Sequence, residues 1–294
     1  MNEFKNFHPI VNFAYFTLAI VFSCIFMHPT ALAISLCTSL AYSAALRGAS
    51  QLKKSLAFAV PVLLLAAIVN PAFNHAGVTI LAYLPSGNPL TLESICYGLL
   101  SGTMLASVIL LFGCLAEVIT SDKFIYLFGR VAPALSLTLS MTMRFIPMLA
   151  DQFKKVAAAH KCVGASAAKG VVGKMKNAVS ILSVMVTLSL ENSVDTADSM
   201  RARGYGLSGR TAFSIYTFSK RDAVSLGAII IFAAYVIIGA SFGALRFGCF
   251  PAVSTAPFSA YVLSVYAAYF LLFTLPLIIE FSEVIKWKYI KSKI

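Results

Sequence analysis

Charge is scarce in this 294-residue sequence, and acidic charge is the scarcer sign. Only 12% of the residues are charged, with 11 acidic against 23 basic side chains. A water-soluble domain carries about 25% charged residues. The remainder is strongly apolar, with 59% hydrophobic residues and a mean hydropathy of +0.86. This composition excludes an ordinary soluble domain and predicts an all-α integral membrane protein with several membrane-spanning helices.

Motifs for metal binding, phosphate binding and hydrolysis are also missing. The six cysteines form no C-x-x-C and the four histidines no H-x-x-x-H pair. Gly173-Lys174 lacks both the first glycine and the hydroxyl of a P-loop, since Ala168 and Met175 stand at those positions. Neither G-x-S-x-G nor H-E-x-x-H occurs. We therefore predict no cofactor, no metal site, no catalytic residue and no ATP binding by the chain itself.

Six apolar segments are each near the ~20 residues that a membrane-spanning helix needs. They lie at about 10–27, 30–46, 55–72, 94–119, 222–243 and 258–282. The first also resembles a cleavable signal peptide, but the apolar sequence resumes at once and continues to Ala45. We interpret 10–46 as a helical hairpin that turns at His28-Pro29.

Basic charge is distributed unevenly among the connecting segments. Segments 47–54 and 286–293 are basic, whereas 70–93 contains no Lys or Arg. By the positive-inside rule, this predicts a multi-pass protein of the cell membrane, with both termini cytoplasmic and 70–93 external. The same rule accounts for the net charge of +12, so we predict no nucleic-acid partner.

The region 120–221 breaks the pattern of full-length apolar segments. Its apolar runs, Pro133–Met143 and Val179–Leu190, are bounded by Arg144 and Glu191 and are shorter than a span. Between residues 144 and 222 there are twelve basic and five acidic side chains, which oppose crossing. We therefore predict three parts: transmembrane helices at 1–119, a cytoplasmic membrane-lying domain at 120–221, and transmembrane helices with a basic tail at 222–294.

Two helices are predicted within 120–221, each ending at a glycine. Pro147 should kink or restart the first helix, which ends at Gly164. The second runs from about Lys174 to Arg203 and stops at Gly204, where a left-handed residue is favoured. Helical spacing places four residues on one face of this helix: Glu191, Asp195, Asp198 and Ala202.

Small and acidic residues in the apolar segments give two further expectations. Glycine pairs at a spacing of four permit close helix contacts: Gly98 with Gly102, and Gly239 with Gly243. Three acidic residues near membrane depth are predicted at helix ends, within reach of water: Glu117, Glu280 and Glu283. A carrier driven by ions usually buries charge in the middle of a helix, and this sequence predicts none there.

The polar stretch 197–211 carries a resemblance to a known family. It reads Ala-Asp-Ser-Met-Arg-Ala-Arg-Gly-Tyr-Gly-Leu-Ser-Gly-Arg-Thr. This resembles the second Ala-Arg-Gly signature of the transmembrane coupling (T) component of energy-coupling factor transporters, a group that includes the cobalt-transport permease subunit. Met143-Arg-Phe-Ile-Pro147 resembles the segment that leads into that family's first coupling helix. The resemblance covers about 133–222, and the flanking helices agree only in number and hydrophobicity.

The resemblance implies a multi-subunit importer. In this family two cytoplasmic ATPases bind the T component, and a separate small membrane protein captures a vitamin or a transition-metal ion. The second docking motif falls on Ala202, Arg203 and Gly204, with Arg201 as a helper. The first falls on Cys162, Val163 and Gly164 and keeps only the glycine.

The departure at the first motif leaves several interpretations open. Valine cannot supply the bidentate donor fork of an arginine. Lys161 or His160 takes over part of that role, or the two ATPases are unequal, or the chain is a non-functional paralogue.

The function predicted is a non-enzymatic coupling subunit that transmits ATP-driven motion across the membrane domain. One alternative is a secondary carrier, which would need a buried ion pair and an internal repeat. Another is a membrane enzyme acting on lipid or peptide, with Arg201 and Arg203 binding phosphate. On spacing alone, residues 197–204 also fit a capped helix with a solvated basic end.

Overall fold

A computed structural model describes residues 3–83, 89–129, 132–163, 170–205, 207, 216–250, 254–255 and 259–291 of the chain. Within these ranges the chain forms a short 3-10 helix, Glu3–Asn6, and nine α-helices. The helices are α1 Pro9–Ile25, α2 Pro29–Arg47, α3 Ala49–Phe73, α4 Leu92–Val118, α5 Ser121–Gly129, α6 Pro133–Cys162, α7 Val171–Ala202, α8 Lys220–Ser241 and α9 Ala260–Lys291.

Strands are confined to two short antiparallel pairs. β1 (Ile80–Tyr83) pairs with β2 (Pro89–Thr91), and β3 (Phe247–Gly248) pairs with β4 (Ser254–Thr255). The prediction of an all-α membrane protein is confirmed.

Proline and histidine together define the first helix boundaries. α1 ends at Ile25 and α2 begins at Pro29, so the predicted turn at His28-Pro29 is confirmed. Proline suits the first helical position because its fixed φ matches the helix and its missing N–H has no partner to lose there. The Nδ1 atom of His28 accepts a hydrogen bond from the backbone N–H of Thr30 at 3.3 Å, which caps the helix. His8 caps α1 in the same way.

The chain divides into two compact units, which we call unit 1 (residues 1–123 and 216–294) and unit 2 (residues 124–215). In unit 1, α4 packs on α1, α2 and α3, while α9 packs on α2 and α8. Its core is rich in aromatic rings, and the buried Tyr15 hydroxyl donates to the backbone oxygen of Phe273 at 3.0 Å. In unit 2, α6 packs on α7. The predicted placement of 120–221 on the cytoplasmic side stays a prediction.

In the described part of the chain, six helices are long and apolar enough to cross a membrane, as predicted, but they are a different six. They are α2, residues 53–73 of α3, α4, α7, α8 and α9. α1 has only 17 residues, and α7 qualifies although the sequence predicted its apolar run to be too short. The difference at α7 arises because one continuous helix of 32 residues extends the apolar run on both sides.

One of the two glycine pairs makes the predicted close contact. A Cβ at Gly98 would lie 3.1 Å from the backbone oxygen of Ala66, and one at Gly102 would lie 2.9 Å from that of Leu63. Both glycines therefore let α4 lie directly against the backbone of α3.

The two glycines of the second pair, Gly239 and Gly243, have different roles. A Cβ at Gly239 would lie 2.6 Å from Val265 of α9, as expected for a close helix contact. Gly243 contacts nothing in this way and instead adopts a φ of +82° in the turn after α8, a conformation that favours glycine.

The predicted helix boundaries differ from the structure at two places. Of the two outcomes predicted at Pro147, a kink or a restart, the restart does not occur, because α6 continues through this residue to Cys162. Glu280 and Glu283 lie inside α9, because the basic tail extends that helix to Lys291 instead of forming a loop. Glu280 lies about 30 Å along α9 from Ala260, a distance equal to the thickness of the hydrocarbon core of a bilayer. Glu117 does lie in the last turn of α4.

Candidate docking site

The carboxyl end of α7 is closed by a glycine turn at the position that the sequence predicts. α7 ends at Ala202, and Gly204 has a φ of +77°. The N–H of Gly204 donates to the oxygen of Arg201 at 3.0 Å, and the N–H of Tyr205 donates to the oxygen of Met200 at 3.1 Å. These two bonds form a Schellman motif, which satisfies carbonyls that would otherwise be unpaired at the helix end.

Two arginines give this helix end its charge. Arg201 and Asp198 are one turn apart with 3.9 Å between Nη1 and Oδ1, and both side chains are largely exposed. An exposed ion pair of this kind contributes about 0–1 kcal/mol. Arg203 is exposed and, among the described residues, has no acidic partner.

The end of α6 is less polar. Cys162 and Val163 are exposed, with 83% of the surface of Val163 accessible. Val163 closes the helix by donating its N–H to the oxygen of Ala159 at 3.1 Å. The predicted stop at Gly164 lies outside the described residues.

The structure keeps the two predicted motifs apart along unit 2. The ring of His160 lies 3.3 Å from the hydroxyl of Ser180, which places the end of α6 beside the first third of α7. Ser180 and Ala202 are about 33 Å apart along a straight helix. Cys162-Val163 and the motif at 202–204 therefore lie at well-separated places along unit 2.

An apolar stripe follows α7 between these points. Its members recur every three or four residues and are all exposed: Val171, Met175, Val179, Leu182, Val186, Leu190 and Val194. Met185, on another face of α7, is buried. An exposed apolar stripe of this length marks a surface that a membrane or a partner protein covers.

Sequence reasoning missed a second group of functional interest, which lies within unit 1. Lys123 and Asp222 are each only 5% exposed, whereas charged residues of loops and helix ends are usually solvated. Asp222 lies in the first turn of α8 and forms a capping box with Ser219, in which each side chain accepts a hydrogen bond from the backbone N–H of the other residue. The spacing Ser-x-x-Asp could have indicated this cap. Nothing in the sequence indicated the burial of Lys123.

Comparison with known proteins identifies the family. The model of the family described as cobalt transport protein (CbiQ) matches residues 7–213, more than half of the chain. The chain belongs to this family. The match includes both predicted motifs and the whole of α6 and α7.

Curated relatives of this CbiQ-family chain carry the name energy-coupling factor transporter transmembrane protein EcfT. The protein from Lactobacillus helveticus is 34% identical over 108 residues, covering 35% of this chain and 38% of the relative. The one from Bacillus selenitireducens is 29% identical over 156 residues, covering 48% and 58%. The one from Listeria monocytogenes, EcfT 1, is 28% identical over 166 residues, covering 51% and 62%. The chain thus spans between 38% and 62% of the length of these relatives.

Proposed function

We propose that the chain is the non-catalytic transmembrane coupling (T) component of an energy-coupling factor importer. Two cytoplasmic ATPases would bind the helix ends at 162–164 and 202–204, which we call the two tips. α6 and α7 would then pass the motion of the ATPases to a separate substrate-binding membrane protein. The substrate class that the family suggests is a vitamin or a transition-metal ion. The observation that carries the proposal is the cationic, glycine-capped end of α7.

Arg203 is the residue best suited to hold an ATPase. It is exposed and has no acidic partner among the described residues, and its backbone is fixed by the adjacent turn. A guanidinium presents a planar fork of donors that matches a carboxylate. Arg201, already near Asp198, would contribute less.

The separation of the two tips supports binding of two ATPases. The end of α6 lies beside Ser180, which is about 33 Å along α7 from Ala202, so each tip can meet a different folded domain. At the first tip Val163 supplies no charge, so Lys161 and the apolar Cys162-Val163 surface would make a weaker contact. We expect unequal binding of the two ATPases.

Charge distribution supports a cytoplasmic position for both tips. The segment 144–222 holds most of the excess basic charge, and the positive-inside rule keeps such segments in the cytoplasm. The apolar stripe of α7 is then covered by lying on the membrane or against the substrate-binding partner, although the length of α7 would also allow it to cross.

The test is co-purification with the two ATPases in mild detergent. Arg203→Ala should weaken ATPase binding by roughly 30-fold or more, since truncating one partner of a buried charge pair costs about 2–5 kcal/mol. Arg201→Ala should have a smaller effect. Arg246→Ala removes an exposed arginine of unit 1 and serves as the matched control. Unchanged co-purification and ATP hydrolysis in Arg203→Ala would refute the role of this residue.

A further inference from the structure

Three side chains that precede α1 are buried, although they lie outside the long helices: Phe4, Phe7 and His8. Phe4 is 1% exposed and packs its ring against the rings of Tyr15 and Tyr42, at centroid distances of 5.5 and 6.3 Å. We call residues 3–8 the amino-terminal segment.

Lys123, the last residue of unit 1 before the chain enters unit 2, is held by this segment. Its Nζ donates a hydrogen bond to the backbone oxygen of Lys5. With the Asn12 amide oriented to satisfy its neighbours, Oδ1 of Asn12 accepts from Lys123 Nζ at 2.8 Å, and Nδ2 donates to the oxygen of Phe4 at 3.0 Å. Lys123 forms no ion pair with any described residue, so oxygen atoms of the segment and of Asn12 are its support.

The segment also holds the place where the chain returns to unit 1. The N–H of His8 donates to Oδ1 of Asp222 at 2.9 Å, and Oδ2 of Asp222 accepts from the N–H of Ser219 at 2.9 Å. The His8 ring lies edge-on to Phe218, with 5.2 Å between centroids.

Arg221, next to Asp222, strengthens this second attachment. Its guanidinium stands 5.2 Å from the centroid of the Phe7 ring, within the range of a cation–π interaction. It also pairs with Glu283 of α9 at 3.2 Å.

The two attachments are joined to each other. Tyr216 forms a side-chain hydrogen bond with Thr120. Burial and the nearby charge of Asp122 raise the pKa of the Tyr216 hydroxyl. Residues 120–123 and 216–222 are thus tied to one another and to the same six-residue segment. Every covalent path between the two units runs through one of these two stretches.

We propose that the amino-terminal segment is the anchor that clamps both connections, with Lys123 and Asp222 as the positioning residues that make unit 1 respond as one body. This inference rests on the proposed function. With the anchor intact, motion imposed on unit 2 by ATPases reaches the helices of unit 1. Without it, the connections bend and absorb that motion.

The experiment measures the distance between two spin labels that flank the anchor, at Ser121→Cys and Val224→Cys. Five native cysteines are replaced by serine, and Cys162, which belongs to the first tip, is replaced by alanine to keep that surface apolar. The labelled chain is assembled with its two ATPases. Distances are recorded without nucleotide and after trapping with ATP and vanadate. The wild-type anchor should give one narrow distribution that nucleotide does not change.

Two kinds of variant release the anchor. Lys123→Met removes the amine while keeping an unbranched chain, and Lys53→Met, at an exposed lysine, is its control. His8→Pro removes the backbone N–H that donates a hydrogen bond to Asp222. Proline readily adopts the φ of −55° that residue 8 has in the structure. His8→Ala loses the same ring but keeps the N–H, so the difference between the two isolates that one hydrogen bond.

Lys123→Met and His8→Pro should gain a nucleotide-dependent shift in the label distance while ATP hydrolysis continues, and both controls should resemble the wild type. A purely structural role would change stability without producing that shift. If the distance stays insensitive to nucleotide in both variants, the anchor is refuted and the proposed function stands. If the wild type binds no ATPase at all, the proposed function fails, and this inference fails with it.

Discussion

Lys123 is a buried amine whose pKa responds to its surroundings. Removal from water disfavours the charged form, and the nearby Lys5 adds repulsion, so the pKa of Lys123 falls from 10.5 to about 8. The carbonyl of Lys5 and the amide of Asn12 solvate the amine in place of water. Its protonation state is therefore linked to the stability of unit 1.

We expect the stability of the wild type to rise, relative to Lys123→Met, between about pH 8 and pH 10. In that window the unfolded chain still carries the proton at Lys123 and the folded chain has lost it. The unfolded state then binds more protons, so the free energy of unfolding increases with pH. Thermal unfolding in detergent at several pH values measures this, and parallel curves for the two proteins would contradict it.

At the residue scale, the sequence predicted local features well and distant ones poorly. The stop at Gly204 was predictable, because a glycine after an arginine-containing last turn is a local signal. The partners of Lys123 and Asp222 were not, because Lys5 and His8 lie 118 and 214 residues away from them. No pattern of spacing along the chain encodes such contacts.

At the scale of elements, the contact between α3 and α4 depends on small residues. A Cβ atom added at Gly102 of α4 would lie only 3.1 Å from the Cα of Leu63 in α3. Backbone atoms cannot move aside as a flexible side chain can. The close approach of these two helices therefore needs glycine at this position.

Gly102→Ala should lower the stability of the protein by about 1–3 kcal/mol, because overpacking forces the two helices apart. Gly227→Ala is the control, since a Cβ there meets no atom within 4 Å in α8. It should leave stability unchanged or raise it by about 0.5–1 kcal/mol, because alanine favours the helix. The fraction of monodisperse protein that survives heating in detergent compares the two, and equal losses would refute the packing argument.

The boundaries of the long helices were harder to predict than their existence. The sequence indicated helices in both halves of unit 2, and α6 and α7 are present. Pro147 was expected to kink or restart a helix because proline is a local breaker, but α6 continues through it to Cys162. Composition alone also could not separate a spanning helix from a membrane-lying one at α7, since its apolar stripe suits both.

At the scale of the whole molecule, the distribution of charge predicts an orientation in the membrane. Residues 70–93 contain no Lys or Arg, whereas the segment 144–222 holds twelve basic residues. By the positive-inside rule, we expect these two regions to lie on opposite sides of the bilayer.

A cysteine at Tyr205 should react with a membrane-impermeant maleimide only after the cells are opened, and one at Val78 should react in intact cells. Both sites are at least partly accessible in the structure, and the labelled chain lacks its native cysteines. Labelling of Tyr205→Cys from outside intact cells would reverse the orientation and remove the basis for binding of ATPases there.

The attachment of His8 to Asp222 sets an order of events during biosynthesis. Residues 3–8 are synthesised before Asp222, the acceptor of the His8 N–H, which lies 214 residues further along the chain. Until then this N–H lacks that partner, and contacts that span so much sequence form late. The attachment of residue 8 to α8 is therefore made only after α1 to α7 have been synthesised.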